Sequence, residues 1–97
     1  MVKFYLTKKA VTDLGNIWDY IVEIWSENQA EIYNSLLMDA CQDLANKPSR
    51  GKSYEKVEKN VLGFKTGPHV IFYQTVSKEE IEIVRILHGM MDMKYHL

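Results

Sequence analysis

One arginine lies inside the most apolar run of the chain, and its chemistry has to be explained first. The run IEIVRIL, residues 81–87, places five aliphatic side chains around Arg85. A guanidinium stays charged at physiological pH, and burying it is costly unless it is paired or exposed for use. The residue could therefore meet an internal carboxylate, a phosphate or another protein. The favoured interpretation is an ion pair with one carboxylate of the first predicted helix: Asp13, Asp19 or Glu23.

Two other sets of potentially reactive side chains are not expected to form a metal site or a reactive thiol. His88, Asp92 and His96 recur at four-residue steps, a spacing that would place metal ligands on one face of a helix. Gly89 separates His88 from any such helix, so we predict neither a metal site nor a cofactor. The single cysteine, Cys41, excludes an internal disulfide and falls on the apolar stripe of a predicted helix. We expect a small buried hydrophobe there.

The composition is that of one ordinary globular domain covering residues 1–97. The chain is 46% hydrophobic and 26% charged, with a net charge of −1, which argues against a general nucleic-acid binder. No apolar run reaches the length of a membrane span, so we expect a cytoplasmic protein without membrane contact. A cluster of basic residues in the middle of the chain is interpreted as a solvated loop: Lys47, Arg50, Lys52, Lys56, Lys59 and Lys65.

The periodicity of apolar residues predicts six elements in the order βααβββ. Two-residue alternation marks the strands, and three- and four-residue steps mark the helices, with Thr7 and Ser26 as N-caps. The last three strands follow one another on short turns and must be antiparallel. We therefore predict an α+β domain with a helical hairpin packed on one face of an antiparallel sheet. The expected bounds are Val2–Thr7, Lys8–Trp25, Glu27–Asn46, Val61–Thr66, His69–Val76 and Glu80–His88.

The last two predicted strands are apolar on both faces, which is typical of the centre of a sheet. Strict alternation in the final strand would place Ile81, Ile83, Arg85 and Leu87 on one side, and Val84 and Ile86 on the other. The hairpin can cover only one face of the sheet. A partner is expected to cover the other face, or an exposed apolar patch to remain there as a site of association.

Five segments resemble, in order and spacing, the ParE branch of the RelE/ParE toxins of bacterial toxin–antitoxin modules: AVTDLGNIWDYI, QAEIY, DLANKP, GPHVIFYQ and IVRILHGMMD. The resemblance implies the same βααβββ fold. It implies a non-enzymatic toxin that binds and inhibits DNA gyrase and is neutralised by a ParD-like antitoxin. The antitoxin's disordered C-terminal segment would fold over the toxin, and promoter DNA would be contacted only through the antitoxin. A homodimer or a heterotetramer with antitoxin is compatible with this picture.

The resemblance also leaves two alternatives open. RelE toxins, the sister branch, cleave messenger RNA on the ribosome, which needs a base, cations that hold the phosphate and an acid. The residues of this chain that could take such roles are Lys65, Tyr73 and Arg85, with His88 nearby. The second alternative is an inactive toxin kept as an antitoxin partner. It arises because three positions that are often arginine in relatives have lost that cation: Leu62, Gln74 and Met90.

Residues expected to bind partners are aromatic, methionine or arginine side chains, which are enriched at or adapt well to protein interfaces. The tail either folds back on the sheet or faces a partner, and Trp18 is also a candidate for the core. The full set is Trp18, Tyr20 and Trp25 on the first helix, Tyr73 and Arg85 in the sheet, and Met90, Met91, Met93 and Tyr95 in the tail.

Overall fold

A computed structural model describes residues 2–53 and 60–89. Within these ranges, two α-helices follow the first strand along the chain and precede the other four strands, and all five strands form one sheet. The predicted α+β class is confirmed. A 3-10 turn at Pro48–Arg50 follows the second helix. The elements are β1 (Lys3–Leu6), α1 (Lys8–Ile24), α2 (Glu27–Asn46), β2 (Lys52–Ser53), β3 (Leu62–Thr66), β4 (His69–Ser77) and β5 (Glu80–His88).

The sheet has the strand order β1-β5-β4-β3-β2. Strands β3, β4 and β5 pair antiparallel, as their short turns predict. Strand β1 pairs with β5 in parallel, from Lys3 opposite Glu80 to Leu6 opposite Ile83, so the sheet is mixed and not wholly antiparallel. A parallel neighbour needs a long connection, and here the connection contains both helices and the strands β2, β3 and β4. The two-residue strand β2 lies in the predicted loop and pairs with β3.

Both helices begin at the predicted capping residues. The Ala10 amide donates to Thr7 Oγ1 at 3.0 Å, and the Gln29 amide donates to Ser26 Oγ at 3.1 Å. Each cap satisfies one of the amides that lack a partner in the first turn of a helix. The Thr7 hydroxyl also donates to the Val84 carbonyl oxygen at 2.7 Å. The start of α1 is therefore attached to the interior strand β5.

The helical hairpin packs on one face of the sheet, and the buried residues of that face form the main core. Their list is Ala10, Leu37, Cys41, Leu44, Ala45, Ile71, Tyr73, Ile81, Ile83 and Ile86. Because successive strand residues point to opposite faces, Val70 and Phe72 lie on the other face of β4. They join Val61 and Leu87 in a second buried cluster. Parts of β4 and β5 are thus buried on both faces, as interior strands should be. The expectation that a partner covers this second face, or that it stays an exposed apolar patch, is wrong for these residues, because the chain buries them itself.

Strand β5 does not follow the strict alternation expected of it. The register shifts by one residue between Phe72, which lies opposite Arg85, and Tyr73, which lies opposite Ile83. An extra residue in one strand interrupts the two-residue period, so side chains beyond it change face. The prediction that Leu87 shares the face of the earlier isoleucines is wrong: Leu87 belongs to the second cluster. The main core instead takes three isoleucines of β5: Ile81, Ile83 and Ile86.

Cys41 is buried in the main core, as predicted, and burial raises the pKa of its thiol to about 12. It packs as a small hydrophobic side chain and stays protonated near neutral pH. Among the described residues, neither helix combines the length and the apolarity that a membrane crossing requires.

Candidate functional site

An ion pair connects the middle of α1 to the middle of β5. The Arg85 Nε atom donates to Asp13 Oδ2 at 2.7 Å, and Arg85 Nη2 donates to Asp13 Oδ1 at 2.8 Å. The Ile86 amide donates to Asp13 Oδ2 at 3.0 Å. The Asp13 and Arg85 side chains are 8% and 16% exposed, respectively. The hydrogen bond from the guanidinium to Asp13 raises the pKa of Arg85. The predicted internal ion pair is confirmed, with Asp13 as the partner.

The ion pair lines an open groove of about 790 Å³ between α1 and the ends of β4 and β5. One wall consists of apolar and aromatic side chains of α1 and its C-cap: Ile17, Tyr20, Ile21 and Trp25. The other wall carries polar side chains of α2, β4 and β5: Tyr33, His69, Arg85 and His88. We call this the α1 groove. Its rim is aromatic and exposed, since Tyr20 is 63% and Trp25 is 73% accessible to solvent.

Three side chains on the polar wall of the α1 groove contact one another. Tyr33 Oη lies 2.6 Å from His69 Nδ1, and the rings of His69 and His88 meet edge to face with centroids 5.5 Å apart. Burial lowers the pKa of His69, and the neighbouring His88 lowers it further by charge repulsion. His69 is therefore neutral near pH 7 and shares a hydrogen bond with Tyr33. This contact joins α2 to the start of β4.

Tyr73 has a structural role in the main core. Its hydroxyl donates to the Pro48 carbonyl oxygen at 2.5 Å and accepts from the Gly51 amide at 2.8 Å. A Cβ atom at Gly51 would lie 2.1 Å from Tyr73 Oη, so only glycine allows this approach. Burial raises the pKa of the Tyr73 phenol. The side chain is fully buried, and the expectation that it contributes to a partner-binding surface is therefore wrong.

The structure does not bring Lys65, Tyr73 and Arg85 together in a common cleft. Lys65 is exposed and lies opposite Val70, a residue of the second cluster, so its side chain is on the face of the sheet away from the helices. Tyr73 is buried on the helix face, and Arg85 is bound to Asp13. These three side chains therefore point to different environments.

The remaining predicted partner residues fall into three groups. Tyr20 and Trp25 lie together on the rim of the α1 groove. Trp18 is half-buried on the same helix and does not line the groove. Four tail residues lie outside the described part of the chain: Met90, Met91, Met93 and Tyr95.

Three positions that are often arginine in relatives have different environments. Leu62 packs against the main core, and Gln74 is half-buried opposite Glu82. Met90 belongs to the tail, outside the described residues.

Tyr33 and His69 belong to the site although neither residue is a candidate for it from the sequence. Tyr33 has the spacing of a core residue of α2, and His69 follows a turn proline. They meet through contacts between residues 36 positions apart in the chain. No local spacing reports such a contact. The signal that could have been used is that both side chains are aromatic and can form hydrogen bonds, with Tyr33 inside α2 and His69 at the start of β4.

A family model described as "ParE toxin of type II toxin-antitoxin system, parDE" matches residues 4–93. The chain belongs to the ParE toxin family. A curated relative, Toxin ParE1 of Caulobacter vibrioides, is 31% identical over 97 residues, which cover 100% of this chain and 99% of that protein. Toxin ParE1 of Mycobacterium tuberculosis is 30% identical over 95 residues, covering 98% of this chain and 97% of the relative. This ParE-family chain is thus a toxin of a type II toxin–antitoxin system.

A solved structure described as the chromosomal ParDE toxin–antitoxin system from P. aeruginosa matches this ParE-family chain with a TM-score of 0.77. The match covers 91% of this chain and 96% of the other, at 21% sequence identity. At that identity the likeness concerns the fold. It agrees with the two helices and mixed sheet described above.

The Asp13–Arg85 pair predicts a specific pattern of stabilities in this ParE-family chain. Asp13→Ala removes the carboxylate that accepts from the nearly buried Arg85 guanidinium and from the Ile86 amide, and should lower the free energy of unfolding by about 3 kcal/mol or more. The double variant Asp13→Leu/Arg85→Met replaces the pair by apolar side chains of similar size. It should lose clearly less, because neither charge of the pair is left behind without the other. Urea unfolding followed by far-UV circular dichroism measures all three proteins, and equal losses in the two variants would contradict the account.

Proposed function

We propose that this ParE-family toxin inhibits DNA gyrase by binding to it, without catalysis, and that a ParD-like antitoxin neutralises it by docking in the α1 groove. The observation that carries the proposal is the exposure of Tyr20 and Trp25 on the rim of that groove. The toxin acts in the cytoplasm, where its target and the antitoxin are made.

The α1 groove has the features of a site for a polypeptide. Large aromatic side chains are usually buried, and when they stay exposed beside an apolar cleft they are typical binding hot spots. Ile17 and Ile21 supply apolar area below the rim. Polar groups of Tyr33, His69 and His88 on the opposite wall can orient a ligand by hydrogen bonds. An amphipathic helix has the matching shape, with an apolar stripe for one wall and polar side chains for the other.

The positions of the nuclease candidates support a non-enzymatic mechanism. Cleavage of RNA requires an acid, a base and cations within hydrogen-bond reach of one phosphate. Lys65 lies on the opposite face of the sheet from Tyr73, and the phenol of Tyr73 is occupied by Pro48 and Gly51. The Arg85 guanidinium forms a bidentate ion pair with Asp13. A net charge of −1 also provides little attraction for ribosomal RNA.

The antitoxin part of the proposal rests on the family and on the fold neighbour. Members of the family are toxins of ParDE systems, and the solved structure from P. aeruginosa is described as such a system. A disordered antitoxin segment that folds in the α1 groove would bury Tyr20 and Trp25. Contact with promoter DNA would then come from the antitoxin, since the toxin surface is not basic overall.

The gyrase proposal is tested with the purified chain, gyrase, ATP and relaxed plasmid. We expect loss of supercoiling and accumulation of linear plasmid on protein digestion, because a trapped covalent complex leaves both strands broken. Toxin mixed beforehand with its antitoxin is the control and should restore supercoiling. No effect on gyrase at a large molar excess of toxin would contradict the proposal. Primer extension on translated messages then tests the alternative, since cuts at codon positions would favour a ribosome-dependent endoribonuclease.

The α1 groove proposal predicts which side chains the antitoxin needs. Trp25→Ala and Tyr20→Ala should each weaken antitoxin binding about tenfold or more, as expected for aromatic hot spots. Both residues are mostly exposed, so the fold should be retained. Tyr5→Ala removes an exposed aromatic from β1, away from the groove, and is the matched control. Isothermal titration with the protein encoded next to the toxin gene gives the affinities. Unchanged binding by both groove variants would place the antitoxin elsewhere.

A further inference from the structure

The outer surface of α2 carries apolar side chains that the fold does not use. Ile32 and Leu36 are 49% and 53% exposed and lie one helical turn apart. The opposite side of α2 supplies the core through Leu37, Cys41 and Leu44, so the hairpin does not need this second apolar stripe. The described residues that line a shallow depression there all belong to α2, and we call them the α2 outer face: Asn28, Glu31, Ile32, Ser35, Leu36 and Asp39.

The charge of α2 has one sign. The helix carries four carboxylates and no lysine or arginine, although the chain contains 12 basic residues in all. Two of the carboxylates, Glu31 and Asp39, border the two apolar side chains of the α2 outer face. A pair of aliphatic side chains between carboxylates is complementary to a surface with apolar residues at its centre and cations at its edges.

The α2 outer face is separate from the α1 groove. Among the residues that the structure describes, the two surfaces share no lining residue, and α2 reaches the groove through Tyr33. Tyr33 points toward the sheet, where it contacts His69, whereas Ile32 and Leu36 are exposed to solvent. A ligand in the groove would therefore leave the α2 outer face accessible.

The negative charge of the α2 outer face distinguishes among its possible partners: a second copy of this chain, a nucleic acid or a polypeptide segment of another protein. Two copies of α2 packed across a two-fold axis would bring their carboxylates together, which disfavours a second copy of this chain. Nucleic acid is disfavoured for the same reason, since its phosphates would approach Glu31 and Asp39. The remaining occupant is a polypeptide segment with an apolar centre and lysine or arginine at its edges.

We propose that the α2 outer face binds the protein target of the toxin through such a basic, apolar segment. The proposal rests on the proposed function in one respect, that the chain acts on a protein. It goes further by giving the target and the antitoxin different surfaces. The Ile32 and Leu36 side chains supply apolar contact area, and Glu31 and Asp39 select a cationic partner.

The test compares two α2 double variants with matched controls. Ile32→Ala/Leu36→Ala removes the apolar contact, and Glu31→Lys/Asp39→Lys reverses the charge. Their controls change equivalent exposed side chains elsewhere: Val76→Ala on β4, and Asp19→Lys/Glu23→Lys on α1. All of these residues are exposed, so unchanged unfolding midpoints should confirm that the variants fold. The measurements are growth arrest after expression without antitoxin, inhibition of gyrase by the purified protein, and antitoxin affinity.

We expect both α2 variants to need about tenfold more toxin for growth arrest, while antitoxin affinity stays within about twofold of the unchanged protein. Full potency in both variants would overturn the proposal, as would an equal loss in the controls or a parallel loss of antitoxin affinity. An unaltered chain that does not arrest growth would overturn it as well. An unaltered chain that arrests growth without affecting gyrase would remove gyrase as the target. In that case, loss of growth arrest in the α2 variants would still support the α2 outer face as the surface that binds the protein target.

Discussion

The position of α1 depends on one constraint, the need of a nearly buried guanidinium for a carboxylate. Arg85 lies in the interior strand β5, and Asp13 on α1 binds it with both carboxylate oxygens. The same carboxylate accepts from the Ile86 amide, so removing it would break three hydrogen bonds at once. Together with the Thr7 hydroxyl bound to the Val84 carbonyl, the pair fixes α1 against β5 at two points. The α1 groove exists because the helix is held at that distance from the ends of β4 and β5.

This use of Arg85 has consequences for function. An arginine that neutralises an internal carboxylate is a poor phosphate ligand, and a tyrosine that joins a loop to the core is a poor acid. The two polar residues of the sheet that are best suited to catalysis by type, Arg85 and Tyr73, are thus used to maintain the fold. What the molecule presents to others is the helical hairpin, with an aromatic groove on one side and an acidic apolar stripe on the other. Both surfaces are suited to polypeptides.

The sequence predicted the elements and the internal partner of Arg85 well, because the signals are local or obligatory. Apolar periodicity and hydroxyl caps depend on neighbouring residues, and a charge inside an aliphatic run must find a counter-charge. The parallel pairing of β1 with β5 was missed, since it depends on a connection of more than seventy residues. The one-residue shift beside Phe72 was missed because alternation assumes an uninterrupted ladder. The burial of Tyr73 and the meeting of Tyr33 with His69 depend on long-range packing, which residue spacing alone does not encode.

The central claim, that Arg85 has a structural and not a catalytic role, is tested most directly by the activity of a toxin without the ion pair. Asp13→Leu/Arg85→Met removes both charges and keeps the space filled. The measurement is growth arrest after induced expression, with soluble toxin quantified in the same cultures. If the pair serves to hold α1 on β5, the double variant should arrest growth at close to the unaltered level per molecule of folded toxin. Abolished arrest by a folded, soluble double variant would contradict the account and return Arg85 to the chemistry of the toxin.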